Sequence, residues 1–202
     1  MDLVIASTNM NKVREFRSLL KSFGWDVLSL RDFPEYVPPE ETGGTFQENA
    51  QLKAKAAAAS LGRWVLADDS GLIVPSLQGA PGVHSSSYAG EGASDFENKS
   101  KLLSAMKGFQ DTDRFAYFEC CICLASPEGE IKSFRGLCEG SIIEEARGGN
   151  GLGYEAVFRK HDYNKTFVEL DEEVKNKISH RRKAFDRALI FLESLQEHAI
   201  LD

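Results

Sequence analysis

The sequence predicts an α/β protein built on a mixed sheet. Two observations carry that reading: strand–helix units alternate through the first half, and one long β-hairpin follows them. Length supports it too, since 202 residues suit one domain, or one domain with a lobe, around a sizeable core.

Leu3 to Ala6 is a short apolar strand, and Ser7-Thr8-Asn9-Met10-Asn11-Lys12 follows it. The next helix sets Val13, Phe16, Leu20 and Phe23 on one face, with Gly24 placed to end it. Trp25 to Leu30 reads as a second strand. Pro34, Pro38 and Pro39 make an irregular loop that runs into Glu40-Glu41-Thr42-Gly43-Gly44. Thr45 to Glu48 has the capping-box pattern, which predicts a helix from Phe46 to about Leu61. Its alanines favour helix and close packing, and Asn49 and Lys53 share a face.

Val65 to Ala67 is the next strand. Its apolar run ends in Asp68-Asp69-Ser70-Gly71, read as the exposed end of the strand. Gly79 to Gly82 is a turn, and Ser85 to Gly90 is irregular. Ser94 to Glu97 is a second capping box, opening a helix that carries Phe96, Leu102, Leu103 and Met106. Arg114 to Ala125 and Ile131 to Ile143 are the paired strands, turned by Ser126-Pro127-Glu128-Gly129-Glu130. Arg147 to Tyr154 is a glycine-rich loop. The C-terminal third reads as helical, with a break around Ile178-Ser179-His180.

Composition narrows the function classes. Hydrophobic content of 42% and charged content of 27% are those of a soluble globular protein. No apolar stretch is long enough to span a bilayer. The first residues lack a basic leader and read directly as strand, so a cytoplasmic location and no membrane partner are expected. A net charge of −7 argues against binding a nucleic-acid polymer, while leaving room for a small phosphorylated ligand in a basic pocket. Cys120, Cys121, Cys123 and Cys138 lack the paired spacing of a zinc site and read as reduced, buried thiols.

Five groups of residues can carry chemistry. Asp68, Asp69 and Ser70 at a strand end suit a hard cation and an activated water, though Asp-Asp-Ser-Gly is also turn chemistry. The loop from Ser7 to Lys12 leads into a helix N-terminus, where backbone N–H groups and Lys12 can meet an anion; an N-cap explains Asn9 equally well. Glu40 and Glu41 add carboxylates just before a helix, a place the helix dipole also favours. Lys175 to Lys183 contains a His180-Arg181 pair suited to an anionic or carbonyl-bearing ligand, or is simply a solvated face. The glycines from 148 to 153 permit close backbone approach, and Tyr154 could stack or pack.

Taken in order, Ala6-Ser7-Thr8-Asn9 through Lys12, Glu40-Glu41-Thr42-Gly43 through Asn49 and Lys53, and Ala67-Asp68-Asp69-Ser70-Gly71-Leu72 form a familiar set. Gly79-Ala80-Pro81-Gly82, Gly151-Leu152-Gly153-Tyr154 and Ile178-Ser179-His180-Arg181 complete it. The chain closely resembles the inosine triphosphate pyrophosphatase family over nearly its whole length. The resemblance implies an elongated α/β fold, with a long mixed sheet flanked by helices and two lobes with an active-site cleft between them. It also implies a Mg²⁺-dependent homodimer that hydrolyses deaminated purine nucleoside triphosphates (ITP, dITP and XTP) to nucleoside monophosphate and pyrophosphate.

Residue by residue, the resemblance gives Ser7, Thr8, Asn9, Met10, Asn11 and Lys12 to the triphosphate, with Lys53 adding charge. Asp69 becomes general base and metal ligand, Glu40 or Glu41 joins it at the metal, and Ser70 touches substrate. Leu152, Gly153, Tyr154, Glu155, Lys175, His180 and Arg181 surround base and sugar. This chain has Leu152 and Glu155 where the family usually has phenylalanine and aspartate, which puts base affinity or preference in doubt rather than catalysis. Arg182 stands where relatives often have glycine, with no derivable consequence. A pyrophosphatase for modified pyrimidine triphosphates would lack the Ser179-His180-Arg181 block. A nucleotide sensor without hydrolysis would not need Asp69, both glutamates and Lys12.

Overall fold

A computed structural model describes residues 2–149 and 151–201; Met1, in the first strand's reading, and Asn150, in the glycine-rich loop, lie outside the described residues. The chain divides into two compact units. One is Met1–Asp69, Cys121–Gly136 and Ala184–Asp202; the other is Ser70–Cys120 and Leu137–Lys183.

Seven strands among the described residues form one sheet in the order β2-β1-β3-β4-β5-β6-β7. They are β1 (Asp2–Ile5), β2 (Asp26–Ser29), β3 (Trp64–Ile73), β4 (Phe115–Ala125), β5 (Ile131–Ile142), β6 (Phe158–Lys160) and β7 (Lys165–Thr166). β1 pairs in parallel with both β2 and β3, whereas β5–β6 and β6–β7 are antiparallel. The mixed sheet is therefore as predicted. The hairpin turn closes with Ser126 N–H on the Glu130 carbonyl at 3.0 Å.

Helix α1 (Met10–Leu20) buries Val13, Phe16 and Leu20, the face its spacing predicts. A short 3-10 turn and Gly24, at φ 64°, finish it. Helix α2 (Phe46–Leu61) matches its predicted bounds; Ala50, Ala54, Ala57 and Ala58 are all buried on it. Because β1 lies between β2 and β3, the crossovers through α1 and α2 advance in opposite directions across the sheet. Right-handed crossovers then place the two helices on opposite faces.

Helix α3 (Asp95–Ala105) has the predicted capping box, with Ser94 Oγ accepting from Glu97 N–H and Glu97 accepting from Ser94 N–H. Its buried side carries Asn98 and Leu102; Phe96, two residues before Asn98, falls on the far side and is 74% exposed. Tyr154, Val157, Phe158 and Phe167 join Leu72, Leu102, Met106 and Phe118 in the core of this unit.

Three expectations change. β3 does not stop at Ala67 but continues to Ile73, so Asp68 and Asp69 are buried strand residues (3% and 8% exposed) instead of an exposed strand end. Lysine partners let the carboxylates stay in the ladder, as shown below. Ser85 to Ser87, expected to be irregular, belongs to a 3-10 stretch, Gly82–Ser87, kinked at His84. The C-terminal third is not helical throughout: β6 and β7 precede α4 (Glu172–Ile178) and α5 (His180–Leu201). Those strands, of three and two residues, are too short to show a period. The break at Ser179 is real; its backbone is extended and its Oγ accepts from Arg182 N–H at 3.0 Å. All four cysteines are free and buried, and burial lifts the Cys123 thiol to about 11.

Candidate active site

Strand order places the site before any side chain does. In open α/β sheets, ligands gather beyond the carboxyl ends of strands where successive crossovers diverge. Here that point lies at β1 and β3: the predicted basic loop follows β1, and the two aspartates sit in β3 beyond its pairing with β1.

After β1 the chain turns sharply, with Ser7 N–H on the Ile5 carbonyl at 2.8 Å. Ser7 Oγ accepts from Asn9 N–H at 3.1 Å, and Asn9 Oδ1 accepts from the N–H groups of Asn11 (3.0 Å) and Lys12 (3.4 Å). Asn9 is thus the N-cap, and Thr8, Asn9 and Asn11 are exposed around it. Met10 begins the helix, half-buried. One turn in, Lys12 Nζ reaches Asp68 Oδ2 at 3.0 Å.

The other carboxylate turns to the other helix. Successive side chains of a strand point to opposite faces, so Asp68 meets α1 and Asp69 meets α2. Asn49 Nδ2 donates to Asp69 Oδ2 at 3.0 Å, and Lys53 Nζ lies 3.4 Å from Asp69 Oδ1. Asn49 and Lys53 reach the same carboxylate because four residues is about one helical turn. Lys53 also pairs with Glu41 Oε1 at 3.2 Å. Glu40 is exposed and makes no hydrogen bond or ion pair among the described residues.

Burial pushes the Asp69 carboxyl above its ordinary value, and the nearby Glu41 charge adds to that. Lys53, the Asn49 hydrogen bond and Lys12 pull the other way without prevailing. For Lys53, burial disfavours the charge, yet Asp69, Asp68 and Glu41 together hold its ammonium above the usual lysine value. The loop before α2 is fitted to this arrangement. Gly43 N–H donates to Asn49 Oδ1 at 2.7 Å, and a Cβ on Gly43 would sit 2.6 Å from that oxygen.

Among the described residues no three histidine, cysteine, aspartate or glutamate side chains converge as a metal cage. The donor set nonetheless suits Mg²⁺, which typically takes one or two carboxylates and completes its shell with waters and substrate phosphates. Asp69 and Glu41, linked through Lys53, are such carboxylates.

The remaining predicted residues belong to the second unit. Ser70 Oγ accepts from Arg181 Nη2 at 3.4 Å. His180, first in α5, stacks on Phe118 with ring centroids 5.1 Å apart and planes 19° from parallel. Lys175 Nζ pairs with Glu155 Oε2 at 3.3 Å, both half-buried. Gly153, at φ 53°, donates its N–H to Asp95 Oδ2 at 2.8 Å. Tyr154 packs in the core, and its hydroxyl donates to the Ser85 carbonyl at 2.8 Å; burial drives its pKa well above the usual phenol value. Leu152 is 61% exposed.

Sequence reasoning left three positioning residues out of the site. Asn49 was visible in its spacing with Lys53. Asp95 and Ser85, which hold Gly153 and Tyr154, gave no signal, because both partnerships join distant segments. A cavity of about 500 Å³ lined by residues that include Arg114, Arg147, Arg159, Glu144 and Glu145 contains none of the predicted site residues. Arg114 spends its N–H groups there on the carbonyls of Met106, Phe109, Ile142 and Ile143, a structural role.

Comparison with known proteins agrees with the resemblance read from sequence. Residues 3–191 match the model of the Ham1 family. The chain is 53% identical to the dITP/XTP pyrophosphatase of Protochlamydia amoebophila, over 98% of this chain and 100% of that protein. It is 46% identical to the dITP/XTP pyrophosphatase of Chlamydia abortus, over 100% of this chain and 98% of the relative. Among solved structures, the Staphylococcus aureus Ham1 protein superposes with a TM-score of 0.88 at 42% identity, covering 96% of this chain and 99% of that one. A HAM1 protein from Coxiella burnetii does so with a TM-score of 0.89 at 40% identity and the same coverage.

Proposed function

Because this chain belongs to the Ham1 family, we propose that it hydrolyses deaminated purine nucleoside triphosphates, ITP, dITP and XTP, to nucleoside monophosphate and pyrophosphate. Such an enzyme removes miscoding precursors from the nucleotide pool. The observation that carries the reading is Asp69, a buried carboxylate of raised pKa held by Asn49 and Lys53 in β3, beyond that strand's parallel pairing with β1.

Asp69 is the general base. It takes a proton from water as the water oxygen bonds to the α-phosphorus. The bond from that phosphorus to the oxygen bridging the β-phosphorus breaks, and pyrophosphate leaves with the electron pair. A carboxylate of raised pKa is the stronger base for this step. The loop Ser7 to Lys12 receives the triphosphate through the exposed polar side chains of Thr8, Asn9 and Asn11, since its Asn9, Asn11 and Lys12 N–H groups already donate to Ser7 and Asn9. Lys12 and Lys53, already drawn in by Asp68 and Asp69, meet the charge that builds on the departing pyrophosphate. Asp69 with Glu41, and Glu40 beside it in sequence, are the residues that would hold Mg²⁺, which supplies neutralisation of phosphate charge.

Ser70, Leu152, Gly153, Glu155, Lys175, His180 and Arg181 receive sugar and base, with Tyr154 holding their loop from the core. N–H groups at His180 and Arg181 donate to the 6-oxo oxygen of hypoxanthine or xanthine. They would face the 6-amino donor of adenine unpaired, a mismatch worth on the order of 10⁴ in a rigid site. The reading carries with it a cytoplasmic homodimer, checked by sedimentation at twice the mass of the chain.

The test is product analysis with ITP, XTP, dITP, ATP, GTP and modified pyrimidine triphosphates, with and without Mg²⁺. Pyrophosphate released directly, with preference for ITP and XTP and dependence on the metal, is expected. Orthophosphate as the direct product, or no such preference, overturns the assignment.

A further inference from the structure

The first turn of α3 enters the site through Asp95, and it also carries the most exposed aromatic ring among the described residues, Phe96 at 74%. A lone exposed apolar residue needs no explanation. This one has a neighbour. Asp95, the residue before it, accepts the N–H of Gly153 at 2.8 Å, and the residue before Gly153 is Leu152, itself 61% exposed. Two large apolar side chains left in solvent therefore flank a single hydrogen bond that ties α3 to the glycine-rich loop.

Neither is exposed through slack. The Ser94–Glu97 capping box fixes the first turn of α3, and Lys101 and Asn98 hold its next turns to the Tyr88 and Ser86 carbonyls. On the loop side, Tyr154 is anchored in the core by its hydroxyl bond to Ser85. Apolar side chains held in this way, one of them on the loop that also supplies Glu155 to the Glu155–Lys175 pair, suit a flat ligand with a hydrogen-bonding edge.

We propose that Phe96 is a specificity-determining residue of the base subsite, offering an aromatic face to the purine, and that Asp95 is the positioning residue that holds Leu152 and Gly153 beside it. The proposal rests on the assignment of residues 152–155 to the base and sugar, and it gives the purine a ring that the loop itself lacks at Leu152.

The experiment compares Phe96→Ala, Phe96→Trp and, as a control, Ile190→Ala, which removes another exposed apolar side chain, 81% exposed on α5. Base–aromatic stacking predicts that Phe96→Ala raises KM for ITP and XTP about fivefold to a hundredfold and lowers kcat far less. Inhibition by inorganic tripolyphosphate, which has no base, stays the same. Phe96→Trp keeps KM near the parent value, and its added fluorescence is quenched by inosine monophosphate. Ile190→Ala moves neither. An unchanged KM in Phe96→Ala, or no quenching in Phe96→Trp, overturns the proposal. Failure of the parent chain to hydrolyse ITP would instead defeat the catalytic assignment, and the fluorescence signal with inosine monophosphate would still report the base contact.

Discussion

Asp69 concentrates the chemistry at the level of single residues. Replacing it with asparagine keeps the shape and removes the base, so kcat should fall by about 10²- to 10⁴-fold while nucleotide binding, measured by calorimetry, persists. Its raised pKa sets the acid limb of kcat/KM: activity falls as pH drops through a value above the ordinary carboxylate 3.8, because protonated Asp69 cannot accept the water's proton. Asn49 stabilises the ionised form, so Asn49→Leu should shift that limb to higher pH. A limb that stays in place in Asn49→Leu, or full turnover in Asp69→Asn, removes Asp69 from the base role. The identity of Asp69 was legible in sequence only through the company of Lys12, Glu40-Glu41 and His180-Arg181. Its burial was not, since an Asp-Asp-Ser-Gly run looks the same in a turn and in a strand whose carboxylates have found lysines.

Among the elements, α2 does most to build the catalytic edge. Its bounds were readable from the capping-box pattern at Thr45 to Glu48 and the alanine-rich run, and in the structure Gly62 at φ 61° ends it. The contact of its first turn with the preceding loop was not readable. Gly43→Ala would place a methyl carbon 2.7 Å from Glu48 Cβ as well as against Asn49 Oδ1, so the loop or the helix must give. We expect a loss of about 1–3 kcal/mol in chemical denaturation together with a drop in kcat, as Asn49 moves from Asp69. Thr45→Ala, which removes only the cap to Glu48 N–H, should cost about 1 kcal/mol and leave kcat much less affected. Equal effects on kcat from the two variants would refute the role given to Gly43. The short strands β6 and β7 show the opposite limit of legibility, being defined by their partners in the sheet and by nothing in their own few residues.

For the molecule as a whole, the chain carries excess negative charge while its candidate triphosphate site takes Lys12 from the loop and Lys53 from α2, their charges held by buried aspartates. Anionic product should therefore bind only the folded state and stabilise it. With Mg²⁺ present, pyrophosphate at a hundred times its Kd should raise the melting temperature by about 5–10 °C, and Lys12→Ala should abolish most of that rise. A shift that survives in Lys12→Ala would place the anion elsewhere. The α/β class and mixed sheet were plain from alternation and one hairpin. The partnership of α1 with Asp68 and α2 with Asp69 had to wait for the strand order, because it depends on which strand lies between which. That partnership makes β3 behave like a reading frame. Inserting or deleting one residue between Trp64 and Asp68 would leave the composition intact and exchange the two carboxylates between faces. An insertion would bring Asp68 to Asn49 and Lys53, and a deletion would bring Asp69 to Lys12. Substitutions along this strand can be graded, but a frameshift of one residue is all or nothing.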